Sequence, residues 1–423
     1  MRPAPKSFRL HIGIFGRRNA GKSSLVNAMT RQNVSIVSDV AGTTTDPVEK
    51  PMELLPIGPV LFIDTAGIDD VGALGTLRAE RTRQVFDRTD VGVIVADAGR
   101  WGEFERRIIQ ELRDRGVPAI AVFNKADLGR PALEVTHALA EAGVAWLETV
   151  APEGQGVLDL REALVRAAPE EYINQPPIVA DLVPPGELVV LVVPIDKEAP
   201  KGRLIQPQVQ TIRDLLDGDS YCMVVKDRGL REALDRLQRP PALVVTDSQA
   251  FLQVAADTPP DVKMTSFSIL FARQKGDLTQ FVHGALAIED LRPGDRVLVA
   301  EACSHHPIAD DIGRVKIPRW LRRHVGGELH FTTVQGHDFP DDLPEYQLVV
   351  HCGACMWNRR EVLTRMLRCR RAGVPIANYG MTIAYTLGIF DRALEPFPDM
   401  LETYRTLRAA RGDRPPGTGF SRV

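Results

Sequence analysis

The chain has 423 residues, which at roughly 150 residues per domain calls for two to four domains rather than one. Apolar residues make up 44% and charged residues 25%, the balance of a soluble globular protein, so collagen-like, mostly disordered and disulfide-scaffold classes are excluded. Fifty-two basic against 55 acidic side chains leave a formal net charge of -3, without the basic excess of a general nucleic-acid binder, and no nucleic-acid partner is expected.

From residue 10 to about 168, short apolar strands are expected at 10–15, 60–64, 91–96 and 119–123, alternating with amphipathic helical stretches. That alternation predicts an α/β fold with a doubly wound, mostly parallel sheet. Pro176, Pro177, Pro184, Pro185 and Gly186 then stiffen the backbone and block helix, marking a first boundary. A second, small α/β unit follows, with strands at 188–194, 221–225 and 242–246 and a helix at 207–216, ending near Pro259 and Pro260. The third region, also α/β, has strands at 296–300, 329–333 and 347–350 and a helix at 358–371. The expected domains are 1–172, 173–262 and 263–423, and the tail 411–423 is expected to be mobile.

Gly16-Arg17-Arg18-Asn19-Ala20-Gly21-Lys22-Ser23 joins the first strand to a helix opening at Ser24, the context a P-loop requires. Its glycines let backbone N–H groups approach phosphates, Lys22 neutralises β and γ oxygens, and the Ser23 hydroxyl completes a magnesium shell. Asp64-Thr65-Ala66-Gly67 ends the next strong strand, offering a carboxylate to magnesium and a glycine N–H to the γ-phosphate. Thr43, Thr44 and Thr45 can supply a switch-loop hydroxyl to the same ion. Asn124-Lys125-Ala126-Asp127 ends a further strand, and Asp127 can accept hydrogen bonds from both N1 and N2 of guanine, a donor pair that adenine lacks. Val150 and Ala151 lie where a further base-binding loop is expected, with its usual serine absent and contacts mainly through backbone. Together these motifs predict a GTPase domain binding GTP or GDP with Mg2+ through Gly16, Asn19, Ala20, Gly21, Lys22, Ser23, Ser24, Asp64, Gly67, Asn124, Lys125 and Asp127.

Apolar runs such as 188–193 are far too short to cross a bilayer and residues 1–10 hold no secretory apolar core, so a cytoplasmic protein with no membrane partner is expected. In a reducing compartment five cysteines are poor disulfide candidates, and clustered ones more often hold metal. Cys303-Ser304-His305-His306 and His351-Cys352-Gly353-Ala354-Cys355 each follow a strand, the place where open α/β sheets form sites. Two remote loops can thus converge on one ion, and the helix at 358–371 would offer its N-terminal amides to bound thiolates. Three thiolates near His305 and His351 suit a Cys₃His zinc site or an iron–sulfur cluster with one weaker ligand, and spacing leaves both open. Cys222 and Cys369 are isolated and read as small buried hydrophobes.

The GTPase motifs resemble those of translation-factor-like GTPases related to the bacterial tRNA-modification GTPase and to the ribosome-assembly GTPase Era. Ile68 stands where small Ras-like proteins carry the water-orienting glutamine, and Asn19 occupies the position that helps hold a monovalent cation in potassium-dependent members. The resemblance implies K+ at Asn19 as a counter-charge to the phosphates, and a catalytic set of Lys22, Asn19, Thr44 and Gly67. With a middle α/β domain and a C-terminal Cys-x-His…His-Cys-x-x-Cys pattern, nearly the whole chain resembles the HydF family of iron–iron hydrogenase maturation GTPases. Segments 310–318 (DDIGRVKIP) and 377–380 (ANYG) look like segments of that family too.

This second resemblance implies that Cys303, Cys352 and Cys355 bind a 4Fe-4S cluster whose fourth ligand is exchangeable and not cysteine, His305 and His351 being the nearest candidates. It implies that 173–262 is a dimerisation domain and 263–423 the cluster-binding domain of a homodimer. The activity implied is that of a GTP-hydrolysing scaffold that receives the diiron subcluster precursor with help from radical-SAM maturases and delivers it to apo iron–iron hydrogenase. Arg314, Lys316, Arg319, Arg322 and Arg323 read as a solvated helix face, or as counter-charge for an anionic precursor. The competing reading is an RNA- or ribosome-linked GTPase with a structural zinc domain.

Overall fold

The computed structural model describes residues 5–30, 47–65, 73–173, 176–195, 202, 204–302 and 311–412. Thr43, Thr44, Thr45, Gly67, Cys303, His305 and the tail from 413 lie outside the described residues. The chain divides into two compact units, Met1–Gln175 and Pro176–Val423.

In the first unit β1 (Leu10–Phe15), β2 (Val48–Leu54), β3 (Gly58–Asp64), β4 (Val91–Asp97), β5 (Ala119–Asn124) and β6 (Ala145–Thr149) form a sheet ordered β2-β3-β1-β4-β5-β6. β2 pairs antiparallel with β3 and the other neighbours pair in parallel, as the strand and helix alternation predicts. Strand side chains alternate between faces, so one face sends Leu10, Ile12, Ile14, Val93 and Val95 against Leu25, Val26 and Met29 of the helix Lys22–Thr30. Phe15, Ile94, Ala121 and Phe123 pack with Phe86, Ile108 and Leu112 in a second core. His11 is buried within β1: its N–H donates to Asp90 Oδ2 at 2.8 Å, its Nε2 meets the Lys6 carbonyl at 3.1 Å, and its Nδ1 is buried without a partner. Burial, reinforced by the Arg88 charge, lowers its pKa to about 3.

The second unit holds two four-stranded parallel sheets. β7 (Leu188–Val192), β8 (Tyr221–Val225), β9 (Leu243–Thr246) and β10 (Met264–Ser266) are ordered β10-β9-β7-β8. β11 (Arg296–Glu301), β12 (His330–Gln335), β13 (Leu348–His351) and β14 (Ile376–Asn378) are ordered β12-β11-β13-β14. The Pro375 carbonyl accepts from Val349 N–H, so the next carbonyl, that of Ile376, points away from β13 toward the free side of β14. The helix Leu278–Leu286 packs there through Gly284, where a Cβ would come 1.9 Å from the Ile376 oxygen. Among the described residues no helix is long and apolar enough to cross a membrane.

Two outcomes follow from this packing. Gly284→Ala should destabilise the second unit by about 1–3 kcal/mol through overpacking; an unchanged urea midpoint would disprove the close approach. Because folded His11 titrates near 3 rather than its usual 6.5, its contribution is intact above 6.5 and drains away as pH falls toward 3. The first unit should therefore lose up to about 1.4 kcal/mol per pH unit through that window, and denaturation of His11→Gln should show a shallower dependence.

Candidate functional site

The phosphate loop is shaped by contacts that exclude a side chain. Gly16, at φ +146°, would place a Cβ 2.1 Å from the Val95 carbonyl, and Gly21, at φ +91°, would place one 2.1 Å from Asn124 Nδ2. Lys22 opens the helix Lys22–Thr30, and its Nζ donates to the carbonyls of Gly16 at 2.9 Å and Arg17 at 2.8 Å, curling the loop around the ammonium. Ser24, in the same first turn, is half-buried, and Asn19 is exposed at φ +61°.

At the end of β3 the Ser23 hydroxyl donates to Asp64 Oδ2 at 2.5 Å, while Asp64 Oδ1 is buried with no partner. Burial raises the Asp64 pKa above the usual carboxylate range, opposed by the Ser23 bond and the charges of Lys22 and Lys50. An orphaned buried carboxylate oxygen beside a hydroxyl is costly on its own and suits a hard divalent cation. Ser23 and Asp64 therefore fit magnesium.

The base side is organised by Asn124, which is 1% exposed. Its Nδ2 donates to the Ala20 carbonyl at 3.0 Å, and its Oδ1 accepts from Thr149 Oγ1 at 3.1 Å and Ala151 N–H at 3.2 Å. One amide thus ties the phosphate loop to the 150–151 segment, where Val150 and Ala151 are both buried. Lys125, at φ +59°, donates to the Asn19 carbonyl at 2.7 Å and pairs with Asp97 at 2.8 Å, leaving Asp127 exposed two residues on.

In the second unit, β11 and β13 are adjacent and parallel, so the loops that leave them start side by side. The N–H of Ala302, the residue before Cys303, donates to Cys352 Sγ at 3.0 Å, and Ala354 N–H donates to the same sulfur at 3.4 Å. Burial pushes the Cys352 thiol up to about 11, with these two N–H bonds pulling the other way. Such amide-to-sulfur bonds favour a thiolate. Both of these amides come from the two loops, and at the start of the following helix the Glu361 N–H donates to the capping Asn358 side chain at 3.3 Å. Cys355 is half-buried.

His351 turns into the core: its Nδ1 meets the Cys352 carbonyl at 2.8 Å and its Nε2 faces Arg365 Nη1 at 3.5 Å. Burial and the Arg365 charge lower its pKa to about 3. Arg365 in turn lies over Trp357 at 4.1 Å and donates to the carbonyls of Gly336 and Asp338. Among the described residues no three His, Cys, Asp or Glu side chains form a metal cluster. Cys369 is wholly buried, but Cys222, on the sheet-edge strand β8, is only half-buried and so is not the core hydrophobe expected. The cationic run does not share one role either: Arg314 faces Glu301 at 3.5 Å, Lys316 donates to Gln249 at 3.0 Å, Arg322 pairs with Glu328 at 2.8 Å, and Arg319 and Arg323 are exposed.

Residues 11–125 match the family model of a 50S ribosome-binding GTPase, residues 178–276 that of the Hydrogen maturase F dimerization domain, and residues 279–396 that of the Hydrogen maturase F tetramerization domain. The chain belongs to the HydF hydrogenase maturase family. Relatives similar to the N-terminal part of this HydF-family chain include tRNA modification GTPase MnmE of Synechococcus sp. (strain JA-3-3Ab), 42% identical over 158 residues and covering 36% of this chain and 32% of the relative. MnmE of Synechocystis sp. is 38% identical over 176 residues, covering 39% and 34% respectively. The chain spans about a third of the length of the curated relatives it matches. Among solved structures, Aquifex aeolicus Era bound to GDP.AlF4- is 20% identical with a TM-score of 0.34, covering 59% of this chain and 99% of that one. The HydF architecture brings a P-loop GTPase domain together with dimerization and tetramerization domains, so self-association is built into it.

One contact in the GTPase domain escapes motif reading. Arg17 of the phosphate loop pairs at 2.8 Å with Glu105, which is fully buried and also accepts from Gly102 N–H at 2.8 Å. The Gly102-to-Glu105 spacing is that of a helix-capping pair and signals the second bond; the first spans 88 positions and leaves no local trace. Replacing Asn124 by Ala should orphan buried donors and acceptors in both loops, lowering the first unit's stability by about 3 kcal/mol and abolishing tight guanine-nucleotide binding; calorimetry with GDP measures the latter, and unaltered affinity would rule the tie out.

Proposed function

We propose that this HydF-family chain is a GTP-binding and GTP-hydrolysing scaffold that carries a 4Fe-4S cluster and delivers the diiron subcluster precursor to apo iron–iron hydrogenase. The observation that carries the reading is the joining, in one chain, of the GTPase motifs to a loop pair at which the neighbour of Cys303 reaches the sulfur of Cys352. The HydF domain succession supports it.

In the nucleotide site, the loop N–H groups between Gly16 and Ser23 and the Lys22 ammonium receive the phosphates. Ser23 and Asp64 hold magnesium, with Thr44 joining from the switch loop and Gly67 N–H meeting the γ-phosphate. Magnesium, when bound, neutralises charge on the phosphate oxygens. Asn19 contributes to a potassium site, and Asp127 accepts both guanine donors. Hydrolysis changes which surface is presented to partners, the radical-SAM maturases and the apo-hydrogenase, rather than driving chemistry at the metal. At the other site Cys303, Cys352 and Cys355 would hold the cluster, which would supply an exchangeable, non-cysteine ligand position for the precursor. Since both nitrogens of His351 are engaged within the protein, it serves as a brace behind Cys352, which leaves His305 as the histidine candidate for the fourth ligand.

An RNA- or ribosome-linked GTPase with structural zinc is the second reading, favoured by the names of the N-terminal relatives. Anaerobic reconstitution decides between them: a brown protein with cubane spectra, lost or altered in Cys303→Ala, Cys352→Ala and Cys355→Ala, is expected, whereas a colourless protein with one zinc would reject the carrier. For the base site, Asp127→Asn exchanges two acceptors for one donor and one acceptor. It should weaken GTP binding by about 100-fold, one hydrogen bond being lost and a donor set against the second guanine donor, together about 2.8 kcal/mol, while improving relative affinity for xanthosine triphosphate; undiminished GTP affinity would remove Asp127 from the site.

A further inference from the structure

The helix Phe267–Lys275 ends on an ammonium group that lies almost wholly inside the protein, Lys275 being 3% exposed. Its Nζ donates to the carbonyls of Trp357 at 2.7 Å, Ala354 at 2.9 Å and Cys355 at 3.3 Å. An ammonium has three donors, and these carbonyls match them in number. All three belong to the turn that follows Cys352 and contains Cys355. That turn holds a non-glycine residue in the left-handed region, Ala354 at φ +50°, a conformation that persists only where surrounding contacts impose it. Trp357 N–H closes the turn on the Ala354 carbonyl at 3.1 Å. The contact is also reciprocated, since Arg359, just after the turn, donates back to the carbonyls of Gln274 and Gly276 on either side of Lys275.

Lys275 lies at the end of the segment matched as a dimerization domain and the cysteine turn within that matched as a tetramerization domain, so this clasp spans the junction of the two. A cation withdrawn from water into carbonyl oxygens is costly, and a neighbouring anion lowers that cost. A cluster held by thiolates is such an anion, and nearby charge sets its reduction potential.

We propose that Lys275 is a positioning residue of the cluster site: its ammonium fixes the 354–357 turn so that Cys352 and Cys355 are presented together before metal arrives, and its charge raises the reduction potential of the cluster held there. The charge part rests on the cluster reading above; the positioning part does not. Arginine cannot replace it in geometry, because a planar guanidinium fork does not meet three carbonyls as a compact ammonium does, but it keeps the charge.

The test uses the full chain as wild type, Lys275→Met and Lys275→Arg. In the metal-free proteins, hydrogen exchange at 352–358 should quicken at least ten-fold in both variants, with exchange in the Met1–Gln175 unit unchanged. After anaerobic reconstitution with iron and sulfide, an EPR-monitored redox titration should place the Lys275→Met midpoint below wild type and that of Lys275→Arg close to it. Unchanged exchange in Lys275→Met overturns the positioning role, and an unchanged midpoint overturns the charge role. If wild type takes up no cluster, the cluster reading fails and the charge role with it, while exchange still decides positioning. Should Lys275→Met prove insoluble, Lys275→Gln, with one neutral amide in place of the ammonium, is read by the same two measurements.

Discussion

Parallel pairing forces the carboxyl ends of neighbouring strands to the same side of a sheet, so the loops that leave them begin together however far apart they lie in sequence. In the first unit this gathers the Gly16 loop after β1, Asp64 at the end of β3, Asp97 at the end of β4 and Asn124 at the end of β5. In the second, Ala300 is in register with His351, and His351 with Asn378, so Ala302, Cys352 and Tyr379 leave from one border of the sheet. The backbone brings these loops near one another; side chains then have to fix them.

The fixing is done by a few buried polar groups that bond to main chain. Asn124 links the carbonyl of Ala20 to the N–H of Ala151, Arg365 holds the carbonyls of Gly336 and Asp338, and Lys275 holds three carbonyls of the cysteine turn. Each is affordable in a dry interior because its donors are matched, and each makes the loop it holds sensitive to a single substitution, since a lost partner leaves backbone groups orphaned where water cannot reach.

The nucleotide motifs were legible because phosphate, magnesium and guanine each demand particular residues within a few consecutive positions, from Gly16 to Ser23 and from Asn124 to Asp127. The long apolar strands were legible for the same local reason. β2 was not, since its Glu49, Lys50, Pro51 and Glu53 mask the alternation, and β10 and β14 are only three residues each. The cysteine pattern could be read, but the orientation of His351 could not, because it is set by Arg365 and Trp357 arriving from the following helix and turn. Lys275 belongs to no motif, and its partners lie about 80 positions away, so no local pattern marks it.

The close seat of Gly284 on the Ile376 carbonyl has an outcome for assembly. A strand whose outward carbonyl is blanketed by a helix offers no ladder to an incoming chain. Lateral growth of this sheet is thereby closed at β14, and any copy that joins it strand to strand must do so along β12, at the opposite margin.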